Sequence, residues 1–364
     1  MAVLRVRALQ NYLRSLHGHD VKIISVEKLG KASKRRPIVR LKAFGFGTPY
    51  LVVYDVGGRR RSGVIETMRP GSFGHEFPSD RAQSLVLAHS TYNRLPRHVR
   101  SFDIGVFTNK GELSSLGDFA EFFIFLERVQ GQGYQQDLAR IRDSGVMTGL
   151  DLRRCTSLAH YIAQVHTVKK NAPDLYIRRI RDLVGHGECI MGMIDSYPTN
   201  ADFIRQSELQ DIERRCLEWR WKLRDKFRRL ARVHGDFHPF NIMFRKGTDF
   251  TALDRSRGEW GEPADDIAAM SINYILFSVQ STGDLSGPLE QLYRLFMDEY
   301  LKTTGDEEML EVIQPFYAWR SLVVANPMWY PTLPGTRRRK LLNFAKATLD
   351  SDRFDIKAVN AYLG

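Results

Sequence analysis

The chain has 364 residues, 43% hydrophobic and 26% charged, and a formal net charge of +12. That length allows a large core and more than one domain, and the composition is that of an ordinary globular protein rather than a disordered or fibrous one. There is no run of about 18 apolar residues, so no membrane-spanning helix is expected. Cys155, Cys189 and Cys216 lie far apart with no Cys-x-x-Cys pair. Neither a disulfide framework nor a zinc knuckle is expected, and a cytoplasmic, reducing location is.

At the start, Val3, Leu4, Val6, Leu9, Leu13 and Leu16 follow a nearly helical period over 2–17. Arg5, Arg7 and Arg14 interrupt them, so this reads as an amphipathic helix rather than a secretory signal. Strand-like runs follow at 21–26, 38–41, 50–54 and 63–67, with Gly45, Gly47, Gly57 and Gly58 as turns, predicting a small antiparallel sheet. The link Leu29-Gly30-Lys31-Ala32-Ser33 places a glycine and a small hydroxyl where backbone N–H groups can cover phosphates. A helix is expected from about Ser79 to Asn93, with Ala82, Leu85, Leu87, Ala88 and Tyr92 facing inward. Two more strands are expected at 102–108 and 121–127, the second buried on both faces because Phe122 to Leu126 are all apolar.

After Tyr134 the pattern becomes helical. Leu158, Ile162 and Val165 repeat at helical spacing, and Leu209, Ile212, Cys216, Trp219, Leu223, Phe227 and Leu230 predict one long amphipathic helix. Further helices are expected at 265–279, 289–302, 309–324 and 337–349. Gly185-His186-Gly187-Glu188-Cys189 reads as a turn between helices or a substrate-contact loop; a Cys189 nucleophile would need a base within reach. The basic runs Lys34-Arg35-Arg36, Arg59-Arg60-Arg61 and Arg337 to Lys340 read as solvated faces of a surface that concentrates anions. No nucleic-acid module accompanies them.

The densest chemistry lies in Val233-His234-Gly235-Asp236-Phe237-His238-Pro239-Phe240-Asn241-Ile242-Met243-Phe244. The run 242–244 and the run Phe250 to Leu253, joined by Lys246-Gly247-Thr248-Asp249, predict a hairpin. Pairing Phe244 with Thr251 would set Asn241 opposite Asp254, their side-chain bases about 5 Å apart. An amide and a carboxylate there form a hard-oxygen site for a divalent ion carrying phosphates, and leave Asp236 to act on something else.

With Gly261-Glu262-Pro263-Ala264-Asp265-Asp266-Ile267-Ala268 added, the pattern resembles the aminoglycoside phosphotransferase and choline kinase-like branch of the protein-kinase fold. Leu158 to His166 looks like the family helix that ends in Leu-His, and Leu126-Glu127-Arg128-Val129-Gln130-Gly131 is similar to the family hinge. The resemblance implies an α+β, two-lobed, protein-kinase-like fold: an N-lobe over 1–130, mostly strands, covering the nucleotide, and a helical C-lobe over 131–364. It implies transfer of the γ-phosphate of ATP, or GTP, to a hydroxyl of a small molecule with Mg2+. Asp236 would orient or deprotonate that hydroxyl, His234 would hold the catalytic loop, and Asn241 and Asp254 would hold the metal. Gly30, Ser33, Glu127 and Val129 would contact the nucleotide. Asp266 would brace the loop, with capping of the next helix the alternative for Asp265 or Asp266.

One departure stands out. The family strand that carries a phosphate-gripping lysine or arginine best matches Gly63 to Met68, and Glu66 falls near that place. Arg40, Lys42 or Arg69 could substitute. A nucleotide-binding pseudokinase of the same fold, or a basic polyanion- or RNA-binding protein, are the alternatives. The family suggests aminoglycoside acceptors. The charge of +12 favours an anionic or neutral metabolite instead, unless Asp298, Glu299, Asp306, Glu307 and Glu308 line the cleft.

Overall fold

A computed structural model describes residues 4–18, 20–29, 47–71, 74–255 and 257–364. The chain divides into two compact units, Met1–Leu126 and Glu127–Gly364.

In the first unit, α1 (Val6–His17) precedes the three-stranded antiparallel sheet β1 (Val21–Lys28), β2 (Gly47–Val56) and β3 (Arg59–Met68), with β2 in the middle. Val52, Tyr54 and Val56 alternate along β2 and so share one face. They pack with Val21 and with Leu9 and Leu13, one helical turn apart on α1, as this unit's core. Val56 pairs with Arg59 across Gly57 and Gly58, whose φ of +56° and +79° suit a two-residue hairpin turn. The strand expected at 38–41, with Gly30, Ser33, Arg40 and Lys42, lies outside the described residues.

Three expectations fail in this unit. The helix α2 (Pro78–Tyr92) forms but buries none of its residues. Leu85 and Leu87 are two residues apart, which places them on opposite sides of a helix, so the five apolar positions never made a single face. At 102–108 only a short ribbon forms, β4 (Gly105–Phe107) against β5 (Leu113–Ser115). Residues 121–127 form no strand, and Phe123 and Phe125 are 92% and 94% exposed. A run of apolar residues becomes a buried strand only if a neighbouring strand takes its N–H and C=O groups, and no described strand lies beside this one.

The second unit is mostly helical. It runs through β6 (Gln132–Gly133), α3 (Tyr134–Ser144), α4 (Gly149–His166), α5 (Pro173–Gly185), α6 (Ile190–Asp195) and α7 (Gln206–Leu223). Then come β7 (Ala231–Arg232), β8 (Ile242–Phe244), β9 (Phe250–Ala252), β10 (Trp260–Gly261) and α8 (Pro263–Ser281). The chain closes with α9 (Gly287–Thr304), α10 (Gln314–Ala325), α11 (Gly335–Leu349) and α12 (Val359–Leu363). The centre is α8, buried on every side from Pro263 to Val279, as a helix apolar all round must be. It packs on α3, α9, α10 and α11, and α4 packs on α9. The long helix expected to reach Leu230 stops at Leu223; Phe227 lies in a separate 3-10 turn. His186 to Cys189 form the turn between α5 and α6. All three cysteines are unpaired and buried. No helix among the described residues is long and apolar enough to cross a membrane.

Candidate active site

The segment 233–241 hangs between two short pairings. β7 pairs antiparallel with β10 through Ala231–Gly261 and Arg232–Trp260, and the Val233 N–H donates to the Glu259 carbonyl at 2.9 Å. β8 and β9 form the hairpin on the other side. Between them the backbone turns sharply at Gly235, φ +87°, a conformation costly for any residue with a Cβ. Phe237 is fully buried and packs on Tyr161 and His234, which anchors the loop.

Asp266 holds this turn in place. One carboxylate oxygen accepts the His234 N–H at 2.7 Å and the other accepts the Gly235 N–H at 2.8 Å. His166 Nε2 lies 3.1 Å from the first oxygen, and its Nδ1 lies 2.9 Å from the Tyr300 hydroxyl. A carboxylate only accepts, so Nε2–H donates. Burial alone would raise the Asp266 carboxyl, but the His166 hydrogen bond and charge outweigh it and hold Asp266 below the usual range. Capping of α8 falls to Glu262, whose carboxylate accepts the Ala264 N–H at 3.3 Å. Glu262 also takes the Arg229 guanidinium at 2.8 Å and the Tyr176 hydroxyl at 2.8 Å, which locks the start of α8.

Asp236 follows the turn with a side chain 14% exposed. Its Oδ1 accepts Arg320 Nη1 at 2.6 Å and lies 3.6 Å from Arg257 Nη1; its Oδ2 lies 3.4 Å from His238 Nε2. Burial would raise this carboxyl, but Arg320, the His238 hydrogen bond and Arg257 together hold it well below the usual carboxylate range. His234 is buried, and burial lowers its affinity for a proton despite Asp266 and Asp236 nearby. Its Nδ1 accepts the Asp236 N–H at 3.3 Å, so it braces the loop.

Asn241 Nδ2 donates to the Asp236 carbonyl at 3.1 Å, which leaves its side-chain oxygen as the atom suited to a cation. The hairpin register differs by one residue from that expected. Phe244 pairs with Phe250 and Met243 with Thr251, and the Leu253 N–H donates to the Asn241 carbonyl at 2.8 Å. Asn241 thus faces Leu253, and Asp254 lies one residue beyond. The cause is the loop: the Arg245 N–H bonds the Asp249 carbonyl at 2.8 Å, and their side chains bridge at 2.6 Å, so Asp249 belongs to the ladder and only three residues turn. Asp254 has φ +53°, in the left-handed region that a short carboxylate side chain can tolerate. An amide oxygen and one carboxylate match the sparse protein share of a magnesium site completed by phosphates and water. Among the described residues no group of three His, Cys, Asp or Glu could hold a metal by itself.

Glu127 is exposed and Val129 partly buried in a stretch without regular structure, and Glu127 interacts electrostatically with Arg245. Glu66 is exposed on β3, opposite Pro49. Burial pushes the Cys189 thiol up to about 12, which removes it as a nucleophile. Arg320 and His166 were missed as site residues. Arg320 is the only charged residue in the apolar run Phe316 to Ala325. A buried charge must find a partner, and that was the signal available.

Residues 116–285 match the model of the phosphotransferase enzyme family. That match takes in His234-Gly235-Asp236 and Asp266, the residues that carry the resemblance in the sequence. No curated protein matches it in sequence. Among solved structures it is similar to a glucosamine kinase, at 15% identity over 63% of this chain and TM-score 0.35. It spans 56% of that kinase's length. An amicoumacin kinase is 16% identical, over 87% of this chain and 90% of that one, TM-score 0.41. The choline kinase LicA from Streptococcus pneumoniae is 13% identical, over 94% and 98%, TM-score 0.34.

Proposed function

We propose, from the family match over residues 116–285, that this chain is a phosphotransferase that moves the γ-phosphoryl group of a nucleoside triphosphate, ATP or GTP, to a hydroxyl of a small molecule. The observation that carries the reading is the double hydrogen bond from His234 and Gly235 to Asp266, which presents Asp236 beside Asn241 on a fixed turn. Phosphoryl transfer asks for positioning and charge neutralisation more than for covalent help, and a rigid loop carrying a carboxylate supplies the first.

In this reading the acceptor hydroxyl donates to Asp236. Arg320 keeps Asp236 ionised, so it is a weak base; it orients the hydroxyl oxygen toward phosphorus and takes the proton only late in the transfer. The hydroxyl oxygen gains the bond to the γ-phosphorus, and the bond from that phosphorus to the β–γ bridging oxygen breaks, releasing the nucleoside diphosphate. Asn241 Oδ1 and the Asp254 carboxylate would hold Mg2+, which neutralises phosphate charge when bound. Gly30, Ser33, Glu127 and Val129 stay proposed nucleotide contacts, and the three unpaired cysteines support a reducing, cytoplasmic setting.

The test is nucleotide turnover by the full chain with Mg2+ across a panel of hydroxyl compounds, compared with Asp236→Asn. Magnesium-dependent transfer that drops at least about 100-fold in the variant is expected. Equal turnover by both proteins would overturn the assignment of Asp236, and nucleotide binding without transfer to any acceptor would favour a pseudokinase.

A further inference from the structure

Asp236 sits among more guanidinium groups than it can use. Arg320 bridges Asp236 and Asp265 at 2.6 Å each. Arg257, after β9, reaches Asp236 only at 3.6 Å, and its Nε and Nη1 are buried without a hydrogen-bond partner. Both guanidiniums pack on the Trp319 ring, at 4.3 and 3.9 Å from its centroid. Arg179 of α5 lies near β10, its Nε 3.8 Å from where a Cβ on Gly261 would sit, and its charge, like those of Arg257 and Arg320 and against that of Asp265, lowers the Cys189 thiol. Its nearest carboxylate, Asp182 at 3.9 Å, also serves Arg178 and Arg181. Arg257 and Arg320 thus face Asp236 and Asp265, while Arg179 shares Asp182 with two other arginines.

A ring face attracts the charge of a guanidinium but gives its in-plane N–H groups no acceptor. Leaving such a donor buried and unpaired is costly, a deficit that an oxyanion would remove. Of the five acids that could have built a cation pocket, Asp298 is exposed on α9 and the other four are committed elsewhere. Asp306 and Glu308 pair with Arg229 and Lys226, Glu307 with Arg353, and Glu299 with His160.

We propose that Arg257, with Arg320 and Arg179 beside it, forms an anion subsite next to Asp236, and that the phosphate acceptor is a hydroxyl compound bearing a carboxylate or a phosphate. This rests on the phosphotransferase reading above and adds the substrate class. Arg257 binds the anionic group through its unpaired N–H atoms, and the hydroxyl on the same molecule then meets Asp236. A polycationic or quaternary-ammonium acceptor meets like charge at this position.

The test uses the full chain saturated with Mg2+ and a non-hydrolysable ATP analogue, so that the nucleotide phosphate positions are filled. Glycerate, glycerol 3-phosphate and inorganic phosphate are titrated by calorimetry, with glycerol and choline as neutral and cationic controls. Binding of at least one anion is expected, weakened about 10-fold or more in Arg257→Gln and less in Arg179→Gln, as for loss of a charge-assisted hydrogen bond. Nucleotide affinity and melting temperature of the variants should stay near those of the parent. Glycerate against glycerol 3-phosphate separates a carboxylate from a phosphate handle. The proposal is overturned by no anion binding, by equal affinity in Arg257→Gln, or by choline binding more tightly than either anion. Failure of the nucleotide analogue itself to bind would instead sink the phosphotransferase reading.

Discussion

Arg320 holds two carboxylates at once, Asp236 through Nη1 and Asp265 through Nη2, each at 2.6 Å. Its side chain is 6% exposed, so the ion triad stands in low dielectric, where removal of one partner leaves charge unneutralised. Arg320→Met should therefore cost about 3–5 kcal/mol of stability, read as the shift of the denaturant midpoint, and Arg320→Lys should recover part of it. An unchanged midpoint in the methionine variant would show that the triad does not contribute.

The same pairing sets an acid dependence. In the folded chain the Asp236 carboxyl lies well below its unfolded value of about 3.9. Its stabilising contribution is thus fully present above that unfolded value and is lost as pH falls from there toward the folded one. His234, lowered by burial, adds stability above about 6.5 that diminishes as pH drops below it. Acid unfolding followed by circular dichroism should begin at higher pH in Arg320→Met than in the parent. The transfer rate should show no inflection from Asp236 between about pH 5 and 8; an inflection there that moves in Arg320→Lys would contradict a permanently ionised Asp236.

Asp266→Asn should be more damaging than its size suggests. An amide offers one oxygen where two backbone N–H donors wait, and its NH2 group faces the other donor. Each unsatisfied buried donor costs about 1–3 kcal/mol, and the turn carrying Asp236 loses its fixed geometry. Transfer should fall at least about 100-fold, with helix content retained. A variant as active as the parent would remove Asp266 from its bracing role.

Gly235→Ala tests the turn from the backbone. The new Cβ would meet Arg257 Cβ at 3.4 Å, an ordinary contact, so the expected loss of about 1–2 kcal/mol comes from φ +87° alone. Gly187→Ala is the control, since nothing lies within 4 Å of its added Cβ and its φ is not positive; it should lose less than about 0.5 kcal/mol. Equal melting temperatures for the two variants would mean that the turn relaxes.

Much of the second unit was legible in the chain. Helical spacing marked α4, α7, α8, α9, α10 and α11, because their apolar positions recur where a helix must bury them. The hairpin was legible but its register was not, since the Arg245–Asp249 bridge that shortens the loop is a side-chain matter. In the first unit, 121–127 read as a buried strand because apolar content says what a segment would bury, without saying whether a neighbour is there to pair with it.

At His234-Gly235-Asp236 the sequence by itself determined the chemical vocabulary: a glycine for a turn that other residues resist, a carboxylate to act, and an asparagine five residues on. Only the tertiary structure decided which acid braces that turn, because Asp265 and Asp266 are neighbours in sequence and point to different partners from the first turn of α8. It also brought Arg320 from α10, 84 residues away along the chain, onto the Asp236 carboxylate. Local spacing can specify a turn and its residue types. Charge pairing between distant helices depends on how α8 and α10 pack, and no short motif contains that.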